Sequence, residues 1–202
     1  MSTIIDKPKT HAICPYLILG LEKNESRLLV EQAYWQLYDA FADEGRFIHS
    51  PQAWVQAGQA LMEVDNAYQR ILSKEFDDEE DEIEPFWPKL GQILIAAGKI
   101  TMRQLHDAIA EQEVEHQPLG EILKEKGYIT QEELGAFLSS QDAIKLPSDS
   151  PYLLGLRLIG LRVVPEDMVC IALIEYCGTH IPIEEALLCH GWLSPEILEV
   201  LI

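Results

Sequence analysis

The side chains best suited to chemistry are thiols and imidazoles in the C-terminal third of the chain. Cys170, Cys177, His180 and the adjacent Cys189-His190 are residue types that bind metals. Zinc sites take their ligands in close pairs from a turn, and Cys177-x-x-His180 only loosely imitates such a pair. Cys170 and Cys177 are seven residues apart on one face of a predicted helix, where a free cysteine behaves as a small hydrophobic residue. The pattern predicts buried thiols and surface imidazoles, and no metal site.

Sequence motifs of common catalytic chemistry are also absent. The nearest approach to a phosphate-binding loop is Gly98-Lys99-Ile100, which lacks the hydroxyl residue that holds Mg²⁺. No G-x-S-x-G, H-E-x-x-H or C-x-x-C pattern occurs. Paired carboxylates are abundant, but a chain with 34 acidic and 15 basic residues supplies such pairs by chance. The sequence therefore predicts a protein that is not an enzyme and has no cofactor.

A doubled pattern of leucine and glycine is the most specific feature of the sequence. Its unit reads L-G-x-x-L-x-x-x-G, then six residues, then L-x-x-x-L-x-x-Q, with isoleucine at one position. The copies begin at Leu90 and Leu119, 29 residues apart. Each predicts a short helix, a glycine break and a longer helix that begins at a capping box, Thr101-x-x-Gln104 or Thr130-x-x-Glu133. Because two short helices cannot bury an apolar face alone, we expect the units to pack as a pseudo-symmetric pair.

The double unit recurs with a period of 64 residues. Residues 90–138 align without insertion on 154–202, with 13 identities in 49 positions. In this second copy Leu153, Tyr176 and Glu184 replace the leading base, a glutamine and a glycine of the first. We therefore predict a degenerate copy in 153–202 with a purely structural role.

The doubled motif in 89–141 resembles the MshEN domain at the N-terminus of type II secretion and type IV pilus assembly ATPases. In that family the motif binds cyclic di-GMP, so the resemblance implies this ligand, and a pilus or secretion component as protein partner. Leucines would form an apolar bed for guanine and ribose, and each Leu-Gly glycine would let backbone N–H groups approach a phosphate. The resemblance assigns to the ligand Lys89, Leu90, Gly91, Leu94, Leu105, Ile109, Gln112, Leu119, Gly120, Leu123, Leu134, Leu138 and Gln141.

The leading positions depart from the family pattern. Lys89 stands where the family has arginine, and Pro118 holds the second leading position. Lysine keeps the charge but lacks the planar fork of arginine. Leucines at helical spacing are also what a helical core requires, and Gly98 and Gly127 fit helix C-caps. Two functions stay open: a non-catalytic regulator that binds cyclic di-GMP or derives from such a receptor, and an adaptor that binds only protein.

The N-terminal third predicts a hairpin of two helices. Ser26 caps the first helix, and Ser50-Pro51 starts the second. Apolar residues recur three or four apart in both, so the helices should pack antiparallel. The first stripe is Leu29, Ala33, Leu37 and Phe41, and the second is Trp54, Ala57, Leu61, Val64, Tyr68 and Ile71.

Residues 12–74 resemble a J-domain. The similarity lies in Tyr16-x-x-Leu19-Gly20-Leu21, Ala33-Tyr34-x-x-Leu37 and Asn66-Ala67-Tyr68-x-x-Ile71-Leu72. The His-Pro-Asp triplet with which that family engages Hsp70 is missing between the two long helices. The resemblance therefore implies the fold and a protein-binding arm, without stimulation of an Hsp70 ATPase.

Composition and charge define the class of protein. The 202 residues carry a formal net charge of −19, and 48% are hydrophobic, which is globular. Such acidity argues against binding to nucleic acid or to an anionic membrane. No apolar run approaches the ~18 residues of a membrane helix, and Met1 to Thr10 lacks the apolar core of a signal peptide. We therefore expect a cytoplasmic protein with free thiols and no membrane insertion.

These observations together predict an all-α fold. Carboxylates fill eight of the ten positions in 75–84, which is typical of a solvated linker because the run repels itself. The predicted organisation is a disordered N-terminus (1–11), the J-like module (12–74), the acidic linker (75–88), the first double unit (89–141), a connection (142–152) and the degenerate copy (153–202).

Overall fold

The computed structural model of the protein describes residues 13–74, 86–141, 143–146 and 150–202. Within these ranges all regular secondary structure is helical, so the predicted all-α class is confirmed. The predictions for residues 1–11, for the acidic run 75–84 and for part of the connection 142–152 concern segments outside the described residues.

The N-terminal part contains α1 (Pro15–Ile18), α2 (Arg27–Ala42), α3 (Glu44–Phe47) and α4 (Pro51–Ser73). The two long helices begin at predicted caps. Ser26 Oγ accepts a hydrogen bond from Leu29 N–H at 3.4 Å, and Ser50 Oγ accepts one from Ala53 N–H at 3.2 Å. Proline at the first position of α4 has the backbone angle that a helix start requires.

Helices α2 and α4 pack along each other, but not through both predicted stripes. The ring of Tyr34 stacks on that of Tyr68, with centroids 4.1 Å apart, and the Tyr34 hydroxyl donates to Asp65 Oδ1 at 3.2 Å. Leu29 and Trp54 are exposed, which corrects the prediction that they face the core. The buried face of α4 consists instead of small residues, which let the helices approach closely, and one glutamine: Ala53, Gln56, Ala57, Ala60, Val64 and Ala67.

Eight further helices in the described residues follow the two sequence periods. They are α5 (Leu90–Ala96), α6 (Met102–Glu115), α7 (Leu119–Glu125), α8 (Gln131–Gln141), α9 (Ser150–Gly160), α10 (Glu166–Thr179), α11 (Ile183–Cys189) and α12 (Pro195–Leu201). The bounds of α5 and α7 differ by 29 residues, and those of α6 and α10, like those of α7 and α11, differ by 64. The chain takes the left-handed conformation after α5, α7, α9 and α11, at Gly98, Gly127, Arg162 and Gly191, with φ between 55° and 71°.

The described residues form two buried apolar cores. The larger one is continuous between the N-terminal helices and α9–α12, and the smaller one lies among α5–α8 and includes Ile171 of α10. The sequence-based division gives residues 12–74 a module of their own. In the structure these helices pack against 153–202, where the apolar surface is larger: α10 buries six residues, and α6, which aligns with it in the 64-residue period, only Ala108.

A buried glutamine links α4 to the C-terminal helices. Gln56 Nε2 donates to the carbonyl oxygens of Val163 and Trp192, both at 2.8 Å. Its Oε1 accepts from Ser194 N–H at 3.1 Å and from Ser194 Oγ at 2.8 Å. Both donors and both acceptor sites of the amide are therefore used.

Candidate functional site

The two Leu-Gly glycines are positions where neighbouring helices touch. Gly91 and Gly120 are buried at the starts of α5 and α7. A Cβ atom added at Gly91 would lie 2.7 Å from Leu105 Cδ1, and one at Gly120 would lie 2.7 Å from Leu134 Cδ1. The sequence predicts these glycines as points of phosphate approach. In the structure, the next helix of the same unit fills that space.

The predicted apolar bed divides into core and surface. Leu94, Leu123 and Leu134 are buried in the smaller core. The other members remain at least partly accessible: Leu90, Leu105 and Leu119 are half-buried, while Ile109 and Leu138 are exposed. Helical spacing alone does not separate these two groups.

The motif glutamines bind the backbone of the chain itself. Gln112 Nε2 donates to the carbonyl of Gln117 at 3.2 Å, and Gln141 Nε2 donates to that of Pro88 at 2.7 Å. Residues 88 and 117 are 29 apart, as the two glutamines are. Each glutamine therefore holds the peptide that precedes the Leu-Gly of the other unit, and the two hydrogen bonds occupy equivalent positions of the motif.

The candidate cation is paired with a carboxylate from the second copy. Lys89 Nζ lies 3.2 Å from Asp167 Oδ1, and both side chains are largely exposed. Gln92 Nε2 donates to the same oxygen at 2.7 Å, and its Oε1 accepts from Lys89 N–H at 2.7 Å. The sequence analysis missed Asp167. No local signal in the sequence joins Asp167 to Lys89, which lies 78 residues away along the chain.

Further ion pairs hold the units of the first copy together. Lys99 Nζ lies 2.7 Å from Glu133 Oε1, and Lys126 pairs with Glu111. The hydrogen bond from Lys99, helped by the Thr130 N–H, lowers the pKa of Glu133 to about 2. These charges therefore serve contacts between helices.

The thiols and imidazoles of the C-terminal third have different surroundings. Burial raises the pKa of Cys170 to about 12, whereas Cys177 and Cys189 are exposed. His190 Nε2 lies 2.9 Å from Glu175 Oε1, and its ring stacks on Trp192. In the described part of the chain, no three His, Cys, Asp or Glu side chains converge on a possible metal position.

The comparisons with known proteins add no relative. A scan against protein-family models, a search of curated proteins and a search of solved structures each find no match. Over the described ranges, no helix has the length and apolar character to span a membrane. The MshEN and J-domain resemblances therefore depend on the motif residues alone.

Proposed function

We propose that the protein is a non-catalytic adaptor that acts through protein contacts, with an MshEN-like double unit derived from a cyclic di-GMP receptor and now used for packing. One observation carries this proposal: the polar side chains of the motif bind other groups of the chain itself. Gln112 and Gln141 donate to backbone carbonyls, and Lys89 faces Asp167.

Electrostatics supports the same conclusion. Cyclic di-GMP is a dianion, and a binding site for it needs an available cation or free backbone donors. Here the lysine shares its charge with a carboxylate on a chain of net charge −19. Binding the ligand would require Lys89 to leave Asp167, and Asp167 would then repel a phosphate nearby.

A second function is favoured by a different observation. Five motif residues, Leu90, Leu105, Ile109, Leu119 and Leu138, keep part of their apolar surface accessible. In a regulator that still binds cyclic di-GMP, these residues would contact the bases. The cytoplasmic location and a pilus or secretion component as partner are proposals common to both functions.

Isothermal titration of the full chain with cyclic di-GMP separates the two functions. The adaptor proposal expects no saturable heat from the wild type or from Asp167→Asn, which leaves Lys89 without its carboxylate partner. Saturable binding that is lost in Leu119→Asp and kept in Val114→Asp would contradict it. Val114 is a matched control because it is an exposed apolar residue of α6 outside the motif.

A tagged full-length chain tests the adaptor function directly. A specific partner should be captured with equal yield with and without added cyclic di-GMP, and the Leu119→Asp variant should capture it as well. A partner that is retained only when the nucleotide is present would favour the regulator instead.

A further inference from the structure

Helix α4 is apolar on two opposite sides over its first three turns. Its inner side carries the small buried residues that face α2 and the C-terminal helices. Its outer side carries Pro51, Trp54, Val55, Gly58 and Met62, at spacings of three and four residues that place them on one stripe. Trp54, Val55 and Met62 are 47%, 58% and 66% exposed. A helix that is apolar on both sides is typical of one covered on both sides.

Gly58 at the centre of this stripe is not explained by packing within the chain. A Cβ atom there would meet no heavy atom of the surrounding described elements within 4 Å. Glycine in a helix interior is less favourable than every residue except proline. Gly135 on α8 and Gly178 on α10 are equally open, and Gly58 differs from them in lying at the centre of the exposed apolar stripe. Its cost to the helix is offset if another backbone approaches Gly58 closely from outside.

The same segment is free of charge in a highly acidic chain. Residues 47–62 form the longest stretch without Asp, Glu, Lys or Arg, while the whole chain has a net charge of −19. The nearby Glu63 lies off the stripe, where its carboxylate meets Arg162 Nε at 2.9 Å. Two copies of this chain repel each other over most of their surfaces, and contact through this stripe brings no like charges together.

We propose that the outer side of α4 binds a second copy of the chain, as an antiparallel pair of α4 helices related by a two-fold axis at Gly58. The spacing is self-complementary in this arrangement. Trp54 and Met62 are each four residues from Gly58, so Trp54 of each copy lies opposite Met62 of the other. The two-fold axis produces this contact between indole and thioether two times, and such contacts are favourable. Val55, three residues from Gly58 and 58% exposed, adds apolar surface beside the crossing point in each copy. Glycine at the crossing point lets the helix axes approach closely.

The test is the mass of the full chain in solution, measured by sedimentation velocity and light scattering. One helix pair buries less than the standard ~800 Å² per partner, so concentrations should extend to several hundred micromolar. We expect a dimer whose dissociation constant falls as salt is added, because salt screens the overall repulsion and the interface has no ion pair to lose. A wild type that is monomeric throughout this range at low and high salt overturns the proposal.

Variants locate the interface. Val55→Glu should raise the dissociation constant at least a hundredfold or so, since it buries an unpaired carboxylate. Gly58→Gln should also give a monomer while raising the melting temperature of that monomer, because the site is open and glutamine is a better helix former. Val114→Glu is the matched control: the same kind of change at an exposed residue of α6 should leave the dimer intact. A Gly58→Gln chain that remains dimeric assigns the contact to another surface, or to another class of partner for α4, and overturns the proposal.

Discussion

Replacing Gln56 by methionine tests whether the N-terminal helices and the C-terminal copy unfold as one body. Methionine keeps a similar length and volume but removes four hydrogen bonds. The Val163 carbonyl and the backbone N–H of Ser194 lie in the buried part of this contact, so water does not replace the amide. Each buried backbone group left unpaired costs ~1–3 kcal/mol. We expect a loss of ~3–4 kcal/mol, or about 10 °C in melting temperature.

Urea unfolding followed by circular dichroism and by tryptophan fluorescence measures this loss. Because the larger core is continuous across the contact, both signals should report one shared transition in the wild type and a weaker one in the variant. Gln69→Met is the matched control, an exposed glutamine on the same helix, and should change stability by no more than ~0.5 kcal/mol. A Gln56→Met protein as stable as this control would refute the reasoning, as would selective melting of the N-terminal helices alone.

Three further predictions concern the repeats and the thiols. Gly91→Ala should destabilise the fold by ~1–3 kcal/mol in chemical unfolding, because the added methyl group meets Leu105. Gly135→Ala, in open space on α8, should stabilise the fold by up to ~1 kcal/mol. Equal effects of the two substitutions would contradict the packing role of Gly91. The pKa of Glu133 falls from 4.5 to about 2 on folding, so its contribution to the free energy of unfolding is complete above pH 4.5 and is lost as the pH falls towards 2. Glu133→Gln should therefore flatten the dependence of stability on pH in this range. A profile unchanged by the substitution would count against the pair with Lys99. Among the three cysteines of the C-terminal third, alkylation followed by mass spectrometry should modify Cys189 first and Cys177 later, because partial burial of its sulfur raises its pKa. Cys170 should react only on unfolding, and its early modification would contradict the burial of this thiol.

Local signals in the sequence were enough to predict where the repeat helices start and stop. The capping boxes at Thr101 and Thr130 form as predicted, each with reciprocal hydrogen bonds between the cap residue and the third helical residue. Gly98 and Gly127 adopt the left-handed conformation of C-caps. These features depend on residues within one turn of each other, which is why a single sequence reveals them.

Contacts between distant segments were not predictable in the same way. Because α4 is apolar on both sides, periodicity does not choose between Trp54 and Ala53 as the inward residue; the partner helices do. The Gln56 contact and the pair of Lys89 with Asp167 join residues that are 75 or more positions apart. The division of the motif leucines has the same origin: Leu94 and Ile109 share a pattern, and only the packing of the units buries one and exposes the other.

Helices α6 and α10 align in the predicted 64-residue repeat but differ in how much of their surface is buried. Helix α10 packs against α9 and α11 of its own copy and against α5 of the other. At the positions where α10 has Cys170 and Ile171, α6 has His106 and Asp107. A polar face at this place suits a helix at the end of a stack, since repeat arrays need polar outer surfaces to stop. Helix α10 therefore lies in an apolar centre beside α5, whereas α6 buries only Ala108 and keeps a polar outer face.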